Sequence, residues 1–269
     1  MKTSYEHITS RCFVNAPWYE LKEKYLDLFV QHKIQPEIGL EGLCLYKEAE
    51  EEFRRIAAVL QQHKLSCTLH APFFDLAPGA LDPEILAASR RKLTMAFQLI
   101  PIFQPKSIVC HLSFEANKQG YKMASWTKTA LKTWQELTTM AARNNCLLML
   151  ENTYEKSPDA HERIFSELRS ETTRFCLDVG HLMSFAKSPW QEWLPRLSPW
   201  LGQLHLHDNN GDLDQHLAPG RGTFNFKELF HFLAANKLKP LLTLEPHSED
   251  DLWAALSYLD QSNLLGLLE

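Results

Sequence analysis

Short runs of apolar and β-branched residues alternate along this chain with longer segments whose apolar residues recur every three or four positions. The first pattern predicts strands and the second predicts amphipathic helices. The predicted strands are HITSRCFV, QPEIGL, LSCTLHAPF, SIVCHLS, LLMLENT, RFCLDVGH, LGQLHLHDN and LLTLEPH. The segments between them include YELKEKYLDLFVQHK and PEILAASRRKLTMAFQLI, which have helical spacing. The pattern therefore predicts eight units, each a strand followed by a helix.

Alternation of strands and helices forces parallel pairing through right-handed crossovers, and eight such units close a (β/α)8 barrel, the TIM barrel of the α/β class. The main alternative, an open doubly wound sheet, normally has a glycine-rich first turn. The first turn here, NAPWYE, contains no glycine. Because no linker, low-complexity tract or repeat interrupts the pattern, we expect a single domain over residues 1–269.

Composition narrows the functional classes. The 269 residues are 45% hydrophobic and 23% charged, which suits a globular chain with a large core. The sequence has no apolar run of membrane-spanning length and its first residues lack a signal-peptide pattern, so we expect a soluble, cytoplasmic protein. Six cysteines without C-x-x-C spacing are predicted to be buried thiols. A net charge of −5 gives no general attraction to nucleic acid or to a membrane.

Polar residues at the ends of the predicted strands suggest chemistry, because barrels of this class carry their active sites at the carboxyl ends of the strands. Strands three to eight all deliver imidazole or carboxylate groups there. These residues are His70, His111, Glu151, Asp178 with His181, His205 and His207 followed by Asp214 and His216, and Glu245. A cluster of carboxylates in a concave site is costly unless cations or hydrogen bonds compensate it. The sequence therefore predicts a divalent metal site, and the donor types suit zinc or manganese.

The centre of that site is predicted from four adjacent strands, with Glu151, Asp178, His205 and Glu245 as its ligands. Residues two apart on a strand face the same side, so His207 is expected to point inward as well. Whether Asp214 and His216 bind metal, brace the loop or touch substrate stays open at this point.

The ordered set of motifs resembles the xylose isomerase-like TIM barrel superfamily, which includes sugar isomerases, sugar epimerases and endonucleases of the endonuclease IV type. The motifs are LHAPF, CHLS, LENT, LDVGH, HLHDNNG, APGRG and LEPH, in that order over nearly the whole chain. Each is weak alone, and together their order and spacing are specific.

Resemblance to the epimerase branch implies one divalent cation on the four central residues, with Glu151 and Glu245 also acting as acid and base. The implied reaction is proton transfer next to a carbonyl through an enediolate. His181 would contact a small hydroxylated substrate, and we assign His70, His207 and Arg221 to the same role. Epimerases of this type place an arginine soon after strand seven, whereas this chain reads GDLDQH there and Arg221 comes later.

Resemblance to endonuclease IV implies up to three zinc ions and phosphodiester hydrolysis at abasic sites. Every ligand position of that enzyme has a counterpart here, and the ligands beyond the central four would be His70, His111, His181, Asp214 and His216. However, the loops at the strand ends, such as GLEGLCLYKEAE and HSEDD, are acidic or neutral, and a DNA-binding surface must be basic. Nucleic acid is therefore not the expected partner. A barrel that binds sugar without turnover is a third alternative, and assembly as a homo-oligomer stays open.

Overall fold

The computed structural model describes residues 5–269, and in these the eight strands close into one parallel barrel. The strands are β1 Phe13–Pro17, β2 Gln35–Gly39, β3 Thr68–His70, β4 Ser107–His111, β5 Leu147–Glu151, β6 Thr173–Asp178, β7 Leu201–Leu206 and β8 Leu241–Leu244. Each strand pairs with the next one along the chain, and β8 pairs with β1. The predicted (β/α)8 architecture is confirmed.

Helices connect the strands and cover the outside of the barrel. The α-helices of four or more residues are Glu6–Thr9, Leu26–His32, Gly42–Lys47, Glu50–Gln62, Pro83–Phe97, Ile100–Phe103, Ala116–Gln119, Met123–Ala142, Asp159–Leu168, Leu194–Leu197, Phe226–Ala235 and Glu249–Ser262. The other helical segments are three-residue α-helical turns at Trp18–Glu20 and Val179–His181, π-helical turns at Leu21–Tyr25 and Leu182–Ala186, and 3-10 turns at Gly120–Lys122, Trp190–Glu192, Ser198–Trp200 and Leu264–Leu268. Within residues 5–269, none of the helices combines the length and apolar character that crossing a bilayer requires.

Side-chain caps define where several of the long helices begin. The Asp82 side chain accepts the backbone N–H groups of Glu84 and Ile85, and Ser248 accepts that of Asp251. Such caps satisfy amide groups that have no partner inside the helix. At these helices the start is therefore set by the local sequence.

Several predicted strands extend beyond the observed ones, and two boundaries matter for the site or the core. The first predicted strand began at His7, but His7–Thr9 belong to the helical turn Glu6–Thr9, which buries Ile8. The seventh strand ends at Leu206, so that His207 lies just beyond it. In both places apolar residues alternate with polar ones, and that alternation does not distinguish a short strand from a turn whose apolar side is buried.

Strand residues alternate between two hydrophobic regions. Ile108 and Leu148 point outward into the large core shared with the helices. Val109, Met149 and Cys176 point inward and form a small cluster inside the barrel. This period-two alternation is expected of pleated strands. As predicted, all six cysteines are buried free thiols.

A polar layer crosses the barrel interior below the strand ends. This mid-barrel layer consists of Glu37, Thr68, Ser107, Gln203 and Thr243, all buried. Glu37 Oε2 accepts hydrogen bonds from Thr68 Oγ1 at 2.8 Å, Gln203 Nε2 at 2.6 Å and Thr243 Oγ1 at 3.1 Å. Ser107 Oγ donates to Gln203 Oε1 at 2.7 Å. The layer lies directly under the residues that form the candidate site.

Candidate metal centre

Strand register brings the predicted ligands to one height at the carboxyl ends of the strands. His111 on β4 pairs with Glu151 on β5, and Asp178 on β6 pairs with His205 on β7. Neighbouring inward-facing residues in such a pair project to the same level of a barrel. Residues far apart in the sequence thus become immediate neighbours.

The nine predicted metal ligands converge at this rim, in overlapping groups whose donor atoms lie within 4.8 Å of one another. One group is His70, His111 and Glu151; another is Glu151, Asp178 and His205; and a third, the outer group, is His181, His207, Asp214 and His216. Glu245 joins the central group, with Oε1 3.0 Å from Nδ1 of His205. The predicted central four therefore lie together, and Glu151 belongs to two groups.

Four of the rim histidines share one arrangement, in which one ring nitrogen is hydrogen-bonded to a protein acceptor and the other faces the carboxylates. The acceptors are the carbonyl of Ala71 for His70 (2.9 Å), of Asn152 for His181 (2.9 Å) and of Glu245 for His216 (3.2 Å), and the carboxylate of Asp178 for His207 (3.0 Å). His205 is similar, with Nε2 at an ion-pair distance of 3.1 Å from Glu37 and Nδ1 facing Glu151 and Glu245. Metal-binding histidines typically use one nitrogen in this way, which fixes the tautomer and leaves the other nitrogen to the ion. The arrangement fits a metal centre.

The site is electrostatically coupled. Burial favours a raised pKa for Glu151, but His111 and His205 outweigh it and hold that pKa well below its usual range. Burial favours a lowered pKa for His205, but nearby acidic groups, among them Glu245 and Glu37, hold it well above its usual range. Without a cation, protonated imidazoles therefore balance the carboxylates. A metal ion binding here would displace those protons.

Three polar atoms of the rim are buried without a hydrogen-bond partner: Nδ1 of His205, Nδ1 of His207 and Oδ1 of Asp214. A buried polar atom left without a partner costs roughly 1–3 kcal/mol. Bound cations would satisfy such atoms, one in the central group that contains His205 and another in the outer group that contains Asp214, and imidazole nitrogen with carboxylate oxygen is a donor set that zinc accepts. The residues present therefore fit a divalent metal.

Glu37 belongs to the site, although our sequence analysis did not include it. Its Oε1 lies 3.1 Å from Nε2 of His205, while Oε2 is held by the mid-barrel layer. Glu37 can therefore fix the ring so that Nδ1 of His205 faces Glu151 and Glu245. The available signal was an acidic residue inside the apolar run QPEIGL.

The loop after β7 is shaped by Asp208. Its carboxylate accepts the backbone N–H groups of Gly220, Gly222 and Phe224, each at 3.0 Å, and its backbone exchanges two hydrogen bonds with Leu217. A Cβ atom at residue 222 would lie 2.3 Å from Oδ1 of Asp208, so glycine is required at that close approach. The closed loop holds Asp214 and His216 against the rim.

A cavity of about 960 Å³ opens above the donors. Of the central four, Glu151 and Glu245 line it, whereas Asp178 and His205 are fully buried and are not part of its wall. The wall also includes His70, His111, His181, Asp214, His216 and the aromatic residues Tyr46, Phe73, Phe74 and Tyr154. The two glutamates are thus the central residues that a ligand in the cavity could touch.

Two predicted substrate-binding residues lie elsewhere. Arg221 is exposed and donates to Asp251 at 2.8 Å, and it does not contribute to the cavity wall. The later position of this arginine, in APGRG, places it on the far side of the loop. His207 is 1% exposed beneath the cavity wall and contacts Asp178, so it is placed among the metal donors. His70 and His181 do line the cavity, as a substrate contact would require.

A closed (β/α)8 barrel with a rim of histidines and carboxylates is the class that the fold and the site define. Residues 37–262 match the family model described as xylose isomerase-like TIM barrel. The chain belongs to that family, which confirms the resemblance inferred from its motifs.

Other proteins and solved structures resemble this chain. An uncharacterised protein of Methanocaldococcus jannaschii is 27% identical over 198 residues, covering 71% of this chain and 75% of the relative. A Thermus thermophilus protein soaked with ZnCl2 superposes with a TM-score of 0.80 at 22% identity, over 95% of this chain and 98% of that one. The 3-keto-D-glucoside 4-epimerase of E. coli gives 0.72 at 18% identity, over 94% and 98%. D-psicose 3-epimerase of Clostridium cellulolyticum gives 0.77 at 14% identity, over 96% and 99%. At these identities the structural likeness establishes the shared fold.

Proposed function

We propose that this protein is a metal-dependent isomerase or epimerase of a small sugar, sugar acid or cyclitol, with a role in carbohydrate metabolism. The observation that carries the proposal is the placement of Glu151 and Glu245. Both line the cavity, and they flank His205, whose Nδ1 lies 3.4 Å from Glu151 and 3.0 Å from Glu245. Two carboxylates that face one cavity beside a cation site suit proton transfer at a carbon next to a carbonyl.

The residues of the site have different roles in the proposed reaction. Glu151, Asp178, His205 and Glu245 would hold one divalent ion, manganese or zinc, which when bound stabilises negative charge on the substrate oxygens. One ionised glutamate takes the proton from the carbon next to the carbonyl and becomes protonated, leaving an enediolate. Return of that proton to the neighbouring carbon, together with transfer of the hydroxyl proton from one substrate oxygen to the other, isomerises the substrate. Delivery of a proton to the opposite face by the other glutamate, which must then be protonated, epimerises it. His70 and His181 are placed to contact substrate hydroxyl groups.

The cavity wall favours a small hydroxylated substrate over nucleic acid. Lys92 is the sole lysine or arginine among its described residues, while Glu20, Glu41 and Asp75 also line it. Nucleic acid binding draws much of its free energy from neutralising phosphates with lysine and arginine, and this wall offers little of that. Aromatic side chains at the mouth offer apolar faces to the C–H groups of a sugar ring.

The test is exchange of substrate protons with solvent. The manganese- or zinc-loaded protein is incubated in D2O with a panel of ketoses, aldoses, keto acids and inososes, and deuterium at the carbon next to the carbonyl is measured by NMR. Glu151→Gln and Glu245→Gln are each expected to reduce exchange by at least about 100-fold, the usual contribution of a general acid or base.

Glu41→Gln is the matched control, because Glu41 lines the same cavity but belongs to none of the donor groups. Metal content is measured for each variant, so that loss of the ion is separated from loss of the base. Full activity in both rim variants would remove the assigned roles, and a panel without exchange would count against the reaction class.

A second candidate, a zinc-dependent phosphodiester hydrolase like endonuclease IV, is favoured by one observation. The donors beyond the central four form two further groups. In the first, His70 and His111 lie near Glu151, which also belongs to the central group, and the second is the outer group. Two or three ions bridged in this way are typical of phosphoryl-transfer sites. This candidate requires that the zinc-loaded protein incise an abasic-site duplex and that His216→Ala abolish the cleavage. An intact duplex after incubation with a fully loaded sample would eliminate it.

A further inference from the structure

We propose that the outer part of the cavity is a second binding region, which takes a flat apolar group attached to the sugar, such as a phenyl ring. This outer wall consists of Leu43, Tyr46, Phe73, Phe74 and Tyr154, all of which line the cavity. The inference rests on the proposed function, since it takes the molecule bound at the rim to be a sugar derivative. It narrows the substrate from a free sugar to a sugar that carries an apolar group.

Exposed apolar side chains are concentrated at this one place. Ten large hydrophobic side chains are exposed within residues 5–269, and five of them form the outer wall. Phe74 is 75% exposed, Leu43 60% and Tyr46 55%. Single exposed apolar residues are normal on a protein surface, whereas a group of them around one cavity marks a binding site. The outer wall therefore favours a ligand with apolar surface of its own.

A series of rings leads from the rim to the mouth of the cavity. The ring of Phe73 stacks on that of His111, with 4.3 Å between centroids and an interplanar angle of 19°, and the ring of Phe74 follows at 4.5 Å from Phe73. Nε2 of His111 lies 3.3 Å from Oε2 of Glu151. Phe73 is 38% exposed and Phe74 75%, so the series becomes more open away from Glu151. A ligand that reaches Glu151 therefore has an apolar surface beside it on the way out.

A second series of rings starts from a neighbouring histidine. The ring centroid of His181 is 6.0 Å from that of His111, and Nδ1 of His181 lies 3.2 Å from Oε1 of Glu151. The centroid of Phe185 lies 5.2 Å from that of His181, and the centroid of Tyr154 lies 4.9 Å from that of Phe185. Both series thus begin at one carboxylate and end in an exposed ring. The mouth presents aromatic faces next to the route that a substrate takes to Glu151.

The cavity is also larger than a free sugar needs. Its volume of about 960 Å³ lies at the upper end of the range of about 300–1,000 Å³ found for pockets that enclose drug-sized ligands. A sugar with a single ring is smaller than such ligands. An apolar group attached to the sugar would fill part of the remaining space and remove the outer wall from water, which is favourable.

The occupant is inferred to be part of the substrate because the outer wall is continuous with the candidate active site. Phe73 and Phe74 line the same cavity as Glu151 and Glu245. A protein partner that covered these side chains would close the entrance to the two glutamates, at which the proposed reaction takes place. An apolar group joined to the sugar uses the same surface and enters with the substrate.

The test measures binding, without turnover, of sugars that differ only in the attached group. Metal-loaded protein is titrated calorimetrically with matched methyl and phenyl glycosides of common hexoses and pentoses, and saturation-transfer NMR identifies the ligand protons that contact the protein. We expect the phenyl member of at least one pair to bind about 10-fold more tightly than the methyl member, the effect of burying much of a phenyl ring. Saturation should be strongest on the phenyl protons.

Two variants locate the binding region. Phe74→Ala should reduce the ratio of phenyl to methyl affinity by about 3–10-fold, because contact between aromatic rings adds to the effect of burial. Tyr121→Ala is the matched control, because Tyr121 is 81% exposed but does not line the cavity, and this variant should keep the wild-type ratio. Both side chains are largely exposed, so the fold should be retained in both variants.

Equal affinities within every pair of the panel, or an unchanged ratio in Phe74→Ala, would overturn the inference. Sedimentation that shows a wild-type dimer and a monomeric Phe74→Ala variant would also overturn it, because the outer wall would then bind a second copy of the chain. Failure of the proposed function is a separate result. A preference for phenyl glycosides without deuterium exchange would support the binding region and count against the reaction, and exchange without that preference would do the reverse.

Discussion

Two polar layers lie one above the other inside this barrel, and they differ in how their hydrogen-bonding groups are satisfied. In the mid-barrel layer, Glu37 Oε2 accepts three hydrogen bonds and Gln203 uses both its donor and its acceptor groups. In the rim layer, which lies closer to the carboxyl ends of the strands, Nδ1 of His205 and Nδ1 of His207 have no partner. Both layers are buried, so solvent does not account for the difference.

The comparison shows how a buried polar layer that supports a site differs from one that suits a ligand. Protein groups satisfy the first layer except for Oε1 of Glu37, which is turned toward the rim, so this layer stabilises the barrel and supports the residues above it. The second layer brings several donor atoms to the same point. These atoms cannot all form hydrogen bonds with one another, whereas a cation at that point could bind several of them. Glu37 belongs to both layers, since one oxygen is held from below and the other faces His205. The lower layer thereby positions the upper one.

Removal of metal is expected to change the stability of the folded protein more than the other two changes below. It should affect the rim layer and leave the mid-barrel layer as it is. An ion present at a thousandfold over its dissociation constant stabilises the folded state by about 4 kcal/mol. For a chain of this size, each occupied site should then raise the melting temperature by on the order of 10 °C. Calorimetry of metal-free and zinc-loaded protein measures the difference. If the metal content of both samples is verified and the metal-free and zinc-loaded proteins still melt at the same temperature, the proposed difference between the two layers is wrong.

Substitution of Glu37 should have an intermediate effect. Glu37→Gln keeps the shape of the side chain but weakens the acceptor that orients His205, so affinity for the central ion should fall by about 10–100-fold. Thr243→Val is the matched control, because Thr243 bonds to Glu37 and Gln203 within the mid-barrel layer alone. It should cost about 1 kcal/mol of unfolding free energy and leave metal affinity unchanged. Isothermal titration calorimetry measures the metal affinity of each variant, and denaturant unfolding measures its free energy of unfolding. Equal metal affinity in Glu37→Gln and wild type would show that the two layers are independent.

The pH dependence of stability should give the smallest of the three effects. Burial opposes charge on His216, but Asp214 and Glu245 outweigh it and raise the pKa of His216 to about 9. Because the unfolded pKa is about 6.5, the metal-free folded state binds this proton more tightly, and its stabilisation is complete below pH 6.5 and lost as pH rises toward 9. The raised pKa values of His181 and His205 act in the same direction.

The zinc-loaded protein should show the opposite trend relative to the metal-free protein. Zinc binds deprotonated imidazole, so the added stability grows as pH rises over the same range. Melting curves of both forms from about pH 6 to about pH 9 test the two trends together. A metal-free protein whose melting temperature rises over that interval would show that the rim histidines are not held protonated by their carboxylate neighbours.

The local sequence pattern was sufficient to predict the fold and most of the residues at the rim. Eight alternating units predicted the barrel, because a strand followed by a helix has few ways to pack other than in parallel. The predicted donors were found at the ends of β3 to β8 because carboxyl ends of parallel strands share one rim. The family motifs, which combine these donors in order, are local features as well.

Other features depended on neighbours in space. Glu37 precedes His205, which it contacts, by 168 positions. An acidic residue in an apolar run does not by itself indicate which residue it will contact. Arg221 has the sequence position of a residue near the site, yet the loop turns it toward Asp251. His161 lies on a helix and is fully buried next to Phe175 and Trp193, contacts that depend on how the helix packs on β6.

The sequence by itself determined the barrel, its family and the rim that carries the chemistry, because strand periodicity and the residues that end each strand are properties of short segments. Only the tertiary structure decided which donors lie within reach of one another, that Glu37 lies against His205, and that His207 faces Asp214 instead of the cavity. These are distances of a few ångströms between residues from different strands and loops. They are set by register, by the closed loop after β7 and by packing around the rim, none of which is encoded at a single position.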